Sequence, residues 1–314
     1  MKAPAASRML PQLTSRSRVG DRTLVALTAS ATGVILLMLL VVIVDVVRGG
    51  FGVLSWEFIS AFPRKGMTEG GIFPAIVGTV FLTLLMTVAA VPAGVATAVY
   101  LSEYASSHSV VARLIRVCIA NLAGVPSIVF GLFGLGFFVS TVGRGIDAAA
   151  FGGRVTYGQP ALVWASLTLA ILTLPVVVVS TEEALHAVPR ELRDGSLALG
   201  ATKFQTILRI VLPEAASGIF TGGILAVSRA AGEVAPIMFT GAAYFLRDLP
   251  THLNDPFMNL GYHVYVLATQ SPDVDRTKPL LYGTVFVLLA LTFVLNVVAI
   301  SLRARTRRRV RAEG

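Results

Sequence analysis

Residues 190–213 read Arg190-Glu-Leu-Arg-Asp-Gly-Ser-Leu-Ala-Leu-Gly-Ala-Thr-Lys-Phe-Gln-Thr-Ile-Leu-Arg-Ile-Val-Leu-Pro213, a polar stretch that carries its own turn signals. Pro189, just ahead of it, suits the first turn of a helix, where its missing N–H has no partner to lose. Gly200 suits the end of that helix, because a left-handed residue there costs glycine nothing. Thr202 followed by Gln205 forms a capping box, which satisfies two exposed N–H groups at the start of the next helix. The stretch therefore predicts two helices meeting at a tight corner at Gly200. On the second, Phe204, Ile207, Leu208 and Val211 form an apolar stripe expected to lie against the body that carries the corner. On the first, charges flank Gly195, Ser196 and Ala198, whose small side chains leave room for another surface. Gly195 costs that helix about 1 kcal/mol relative to alanine.

Outward from the corner the chain turns apolar. Of its 314 residues 55% are hydrophobic and 14% charged, and the mean hydropathy of +0.77 lies outside the range of a soluble domain. A helix needs about 20 apolar residues to cross a hydrocarbon core. Stretches of that kind run from Leu24 to Val44, Phe73 to Leu101, Val117 to Thr141, Ala161 to Ser180, Gly218 to Phe239 and Leu280 to Ser301. The expected fold is all-α, a polytopic membrane protein with six transmembrane helices. Its parts are a basic segment (1–22), a first helix with an external loop (23–69), a core of five spans (70–301) and a basic tail (302–314), the corner lying in the loop 181–214. The first apolar run is too long for a signal peptide, and no small-residue cleavage site follows it.

The net charge of +9 raises the question of nucleic acid. With both termini in the cytoplasm, about two thirds of the 26 lysines and arginines fall in cytoplasmic segments, which is a topology signal and gives no basic face for RNA or DNA. The terminal run Arg303, Arg305, Arg307, Arg308, Arg309 and Arg311 is placed to meet anionic lipid headgroups. Cys118 is the only cysteine and falls in the third stretch, which rules out an internal disulfide framework and a thiolate metal site. His108, His186, His252 and His263 are scattered without ligand spacing and read as surface residues. No Gly-x-x-x-x-Gly-Lys-Ser/Thr occurs, so the chain has no P-loop for ATP, and neither HExxH nor a serine–histidine pair inside the spans points to an enzyme. No cofactor is expected on the chain.

Arg229 and Glu233 fall in the fifth stretch, four residues apart and on one helix face. An arginine at the centre of a spanning helix costs about 2.5 to 3.5 kcal/mol on insertion scales, so both side chains should face protein or water. Two readings fit: an ion pair that locks helices together, and an anion site on a conduction path, with Arg229 as a guanidinium fork for a phosphate-like oxyanion. Asn121 and Ser127, in the third stretch, fit either a polar path or an interhelical hydrogen bond. Leu260, Val264 and Leu267, with His263 and Tyr265 between them, predict a short amphipathic helix at the outer face, a packing element or a gate for an external partner.

The corner also resembles the EAA loop of the permeases of binding-protein-dependent ABC importers, which reads Glu-Ala-Ala, three residues, Gly, nine residues, Ile-x-Leu-Pro. Asp194, Gly195 and Ser196 stand at the first three places, then Gly200, then Ile210, Leu212 and Pro213, all in register. Asp replaces Glu, and Gly-Ser replaces Ala-Ala. Further stretches, Gly70-Gly-Ile-Phe-Pro-Ala-Ile-Val-Gly-Thr79, Tyr100-Leu-Ser-Glu-Tyr104, Gly124-Val-Pro-Ser-Ile-Val-Phe-Gly-Leu-Phe-Gly134, Thr181-Glu-Glu-Ala-Leu185 and Gly232-Glu-Val-Ala-Pro-Ile-Met-Phe-Thr240, resemble the PstA-type phosphate permeases. The resemblance implies a type I ABC importer permease fold in a bacterial inner membrane. It also implies a heterodimer with a PstC-type permease, two PstB-type ATPase subunits seated on the corner, an external PstS-type binding protein, and Arg229 and Glu233 acting in phosphate passage. On the residues alone, sulfate or molybdate fits as well. An ion-coupled carrier would need its own coupling-ion site and usually internal repeats, and neither is visible.

Overall fold

The computed structural model describes residues 16–64, 69–106, 108–271 and 273–313. Residues 1–15 of the basic segment lie outside them, as do the side chains of the terminal arginines from Arg305 onward. Contacts divide the chain into two units, residues 1–49 and residues 50–314. The described residues of the first form one helix, α1 (Arg16–Gly50), apolar on all sides between Leu24 and Val44 as lipid requires.

The second unit begins with a short helix, α2 (Trp56–Ser60), whose Ser55 cap accepts from Phe58 N at 3.1 Å, and a two-stranded antiparallel ribbon, β1 (Pro63–Arg64) and β2 (Glu69–Gly70). Then come α3 (Phe73–Val99), extended by a wider π turn through Tyr104, and α4 (Val110–Gly124). Next, α5 (Ser127–Phe133) continues through π turns into α6 (Arg144–Ala150), and α7 (Leu162–His186) follows. The corner is α8 (Arg190–Ala198) and α9 (Lys203–Thr206), the latter running through a π turn at 207–211 into α10 (Leu212–Ala231). α11 (Ala235–Thr240), α12 (Leu260–Thr269) and α13 (Val274–Glu313) complete the chain.

Among the described residues six helical segments are long and apolar enough to cross a membrane: Asp21–Val53, Phe73–Tyr104, Ser127–Ala150, Leu162–His186, Lys203–Ala231 and Val274–Ser301. Four match the sequence expectation and two are displaced. The third was expected at Val117–Thr141, but Pro126 disfavours helical conformation at the residue before it, Val125 is extended, and the chain breaks between Gly124 and Ser127. Cys118 and Asn121 consequently sit on α4, outside the six. The fifth was expected at Gly218–Phe239 but ends at Ala231, while its start moves back to the capping box. Pro213 interrupts nothing there, since it falls at the second position of α10, just after the π turn.

α7 is the most enclosed of the six and organises the second unit. Toward one end Leu82, Met86 and Ala90 of α3 pack on Leu162, Ala165 and Leu169 of α7, with Ala230 and Ile237. Toward the other, Ala98 and Leu101 meet Val178 and Leu185, with Ala112 and Ile119 of α4 and Val211 and Ala215. Hydroxyls inside this apolar body bond back to their own helices: Thr79, Thr83, Thr168 and Thr173 each donate to the carbonyl four residues earlier at 2.7–2.9 Å.

α12 is docked by a side chain the sequence did not advertise. Asn259, almost fully buried, caps the helix by accepting from Tyr262 N at 3.1 Å and donates Nδ2 to Thr79 Oγ1 at 3.2 Å. Along α12, Leu260, His263, Val266 and Leu267 face inward. His263 is therefore not a surface residue as its scatter implied, and burial pushes its imidazole down to about 4.

Candidate functional site: the corner and the broken helix

Pro189 caps α8 from the position before its first residue, one place earlier than expected. Gly200 takes φ +84°, the left-handed geometry that ends the helix. Across the bend, Thr202 Oγ1 accepts from Gln205 N at 3.3 Å, while Gln205 Oε1 accepts from Thr202 N at 2.9 Å. Ser196 was expected on the outer surface beside Gly195. It instead points inward, 2.9 Å from Thr206 Oγ1, and joins the two limbs. Asp194 and Gly195 are exposed, and a Cβ at Gly195 would meet nothing within 4 Å. Ile210, Leu212 and Pro213 are half-buried where the second limb enters α10.

The apolar stripe of the second limb divides. Ile207 and Val211 are buried against the bundle, whereas Phe204 is 64% exposed and Leu208 is 53% exposed. Leu199, at the bend, is 91% exposed. The tip of the corner thus offers apolar side chains beside Asp194 and Gly195. Arg193, expected on the charged rim, turns back into the bundle and pairs with Glu103 at 2.8 Å. Ninety residues separate them, so no local signal marks the contact.

The second cluster lies where α10 stops. Gly232 N donates to Arg229 O and Glu233 N to Ala230 O, the closing turn of the helix, and the chain leaves it before α11 begins. Glu233 is therefore not on a shared helix face with Arg229 but beyond the helix end, and Arg229 Nε reaches its Oε1 at 3.3 Å across that break. The negative end of the helix dipole also favours a cation at Arg229. Nearly half of the Arg229 side chain is exposed, against about a fifth of Glu233. Among the described residues no partner takes its two Nη groups, which leaves four of the five guanidinium N–H donors open. Asn121, exposed on α4, and Ser127, half-buried at the start of α5, stand on either side of the break at Pro126. α5 packs closely on α11: a Cβ at Gly131 would fall 2.9 Å from Ala235 O. No group of histidine, cysteine, aspartate and glutamate side chains able to hold a metal occurs among the described residues.

Comparison with known proteins agrees with this architecture. Residues 90–312 match the family described as binding-protein-dependent transport system inner membrane component. The chain is 30% identical over 243 residues to the probable ABC transporter permease protein YqgI of Bacillus subtilis, covering 73% of this chain and 78% of that one. It is 40% identical over 198 residues to the phosphate transport system permease protein PstA of Mycobacterium leprae, covering 62% of this chain and 60% of that relative's length. In fold it superposes on a chain of a bacterial alginate ABC transporter solved in complex with its alginate pentasaccharide-bound periplasmic protein, with a TM-score of 0.64 at 13% identity, covering 93% of this chain and 97% of that one. With its capped corner, broken fifth helix and six apolar spans, the chain belongs to the inner membrane components of binding-protein-dependent transport systems and has the type I ABC importer permease fold.

Proposed function

We propose that this chain is one half of the membrane pathway of an ATP-driven importer of inorganic phosphate. The carrying observation is Arg229, held at the break of a spanning helix with both Nη groups free, in a chain that aligns with a PstA permease. A planar fork of N–H donors matches the oxygens of a tetrahedral anion. Glu233 beside it keeps the anion from being held too firmly, since conduction needs release as well as capture. Asn121 and Ser127 belong to the same polar path.

Energy enters at the other cluster. The corner at Asp194, Gly195, Ser196 and Gly200, continued through Ile210, Leu212 and Pro213 into α10, is the seat for a PstB-type ATPase. The exposed Leu199 and Phe204 give that seat an apolar centre. A PstC-type subunit completes the pathway, and a PstS-type protein delivers the anion from outside, with both termini of this chain in the cytoplasm. The chain itself performs no hydrolysis.

The test is reconstitution of the four components in lipid vesicles. Labelled phosphate should enter only with ATP and the external binding protein present. Uptake of sulfate or molybdate in place of phosphate would reassign the substrate; uptake driven by an ion gradient without ATP would overturn the importer reading.

A further inference from the structure

The first limb of the corner is fastened to the bundle through one guanidinium. Arg193 donates Nε and Nη2 to Glu103 Oε1 at 3.2 and 2.8 Å, Nη2 also to Leu185 O at 2.7 Å, and Nη1 to Val188 O at 2.7 Å. Glu103 lies in the π turn that closes α3, and Leu185 and Val188 lie at the end of α7 and just past it. A single side chain therefore ties the corner to the ends of two membrane helices at once. Both members of the ion pair are mostly enclosed, with 19% and 11% of their side chains exposed. A lysine does not reproduce the contact, because its three N–H groups radiate from one nitrogen, whereas the four bonds here come from three nitrogens spread over a planar fork.

The same two helix ends are joined from the opposite flank. Arg116 of α4 donates Nη2 to Leu101 O and to Glu182 Oε1, both at 3.1 Å. The ends of α3 and α7 are thus cross-tied independently of the corner, and Arg193 adds the corner to that tie. The second limb has its own route: Lys203 stands 5.1 Å from the centre of the Tyr104 ring, and α9 passes into α10 through continuous helix. A push on the corner reaches α7 and α10 along the backbone; Arg193 stiffens the junction with α7 and, with Lys203 over Tyr104, carries the push across to the end of α3.

We propose that Arg193 is a positioning residue which makes α3 and α7 follow the corner, and so keeps anion import tied to ATP hydrolysis by the partner. This rests on the importer reading above. The experiment measures ATP hydrolysis and uptake of labelled inorganic phosphate in the same vesicles containing the full complex. Arg193→Met should leave the complex assembled and hydrolysing ATP, while uptake per ATP falls roughly tenfold, the scale on which residues of a coupling network act. Arg193→Lys should recover little of that ratio, and the exchange Arg193→Glu with Glu103→Arg should recover more than either change alone. Glu103→Gln, which keeps the shape of the acceptor, should shift the ratio in the same direction and serves if Arg193→Met does not assemble. An unchanged ratio in assembled Arg193→Met and Glu103→Gln complexes overturns the proposal, as does a proportional fall of uptake and hydrolysis together. A wild-type complex that hydrolyses ATP without importing phosphate overturns the importer reading, and this proposal with it; a change confined to the variants bears on Arg193 alone.

Discussion

Arg229 and Glu233 meet across the end of a helix, at 3.3 Å, where the backbone has already left the helical path. The pair bridges a gap between two helices, and its geometry depends on the turn at Gly232. Arg229→Leu is expected to abolish phosphate import while the complex still assembles, checked by uptake alongside co-purification of the partners. Loss of assembly would make the pair a structural lock. Glu233→Gln should retain the anion more firmly and release it more slowly, seen as a lower half-saturation concentration together with a lower maximal rate.

Gly200 holds φ +84° at the bend between α8 and α9. Nothing stands within 4 Å of a Cβ placed there, so a substitution meets backbone strain and no clash. Gly200→Ala should destabilise the corner by about 1–2 kcal/mol and Gly200→Asn by less, since asparagine tolerates the left-handed region. Limited proteolysis at the bend of the purified protein reads the difference as a faster cleavage rate.

Asp147 organises the loop that joins α6 to α7. Its carboxylate accepts from Thr156 N, Tyr157 N and Gly158 N at 3.0, 2.7 and 2.7 Å, and Tyr157 O in turn accepts from the Trp164 indole at 2.7 Å. Asp147→Ala removes the acceptor for three half-buried amides, which must then find other partners or water. Hydrogen exchange at residues 156–158 should quicken by orders of magnitude, with exchange in α3 unchanged.

His263 is buried in α12 with Nδ1 unpartnered, and its pKa stands at about 4 against 6.5 for the free side chain. Between those values the unfolded chain takes up a proton that the folded chain refuses, so stability is full above pH 6.5 and declines as pH falls toward 4. The total loss is on the order of 3 kcal/mol. In detergent, the thermal midpoint should drop over that window, and His263→Leu should flatten the drop. An equally steep drop in the variant would assign it to other groups.

Sequence made the corner legible because its signals are local: a proline, a glycine and a capping box act within four residues of themselves. Hydropathy located four spans well and misplaced two, since a windowed average sees apolar content and not the single residues that end a helix, Pro126 for the third and Gly232 for the fifth. α4 was absorbed into a span because its apolar face has the hydropathy of one. The roles of Arg193, Asn259 and Asp147 were hidden for a different reason. Their partners, Glu103, Thr79 and the amides of residues 156–158, are neighbours only in the folded chain. His263 was misread because burial is decided by what packs on a helix, and α12 alone does not show it.

Leu199 and Phe204 have a consequence beyond the transport cycle. Until another protein covers them, these side chains stay wet, and water makes them adhesive to any greasy surface they meet. With the topology proposed above, a copy synthesised in excess of its companions would carry this mark on the cytoplasmic side, where chaperones and proteases recognise exposed apolar side chains in misfolded polypeptides. The same few atoms proposed to seat a motor would then let the cell count subunits, sparing assembled copies and discarding orphans.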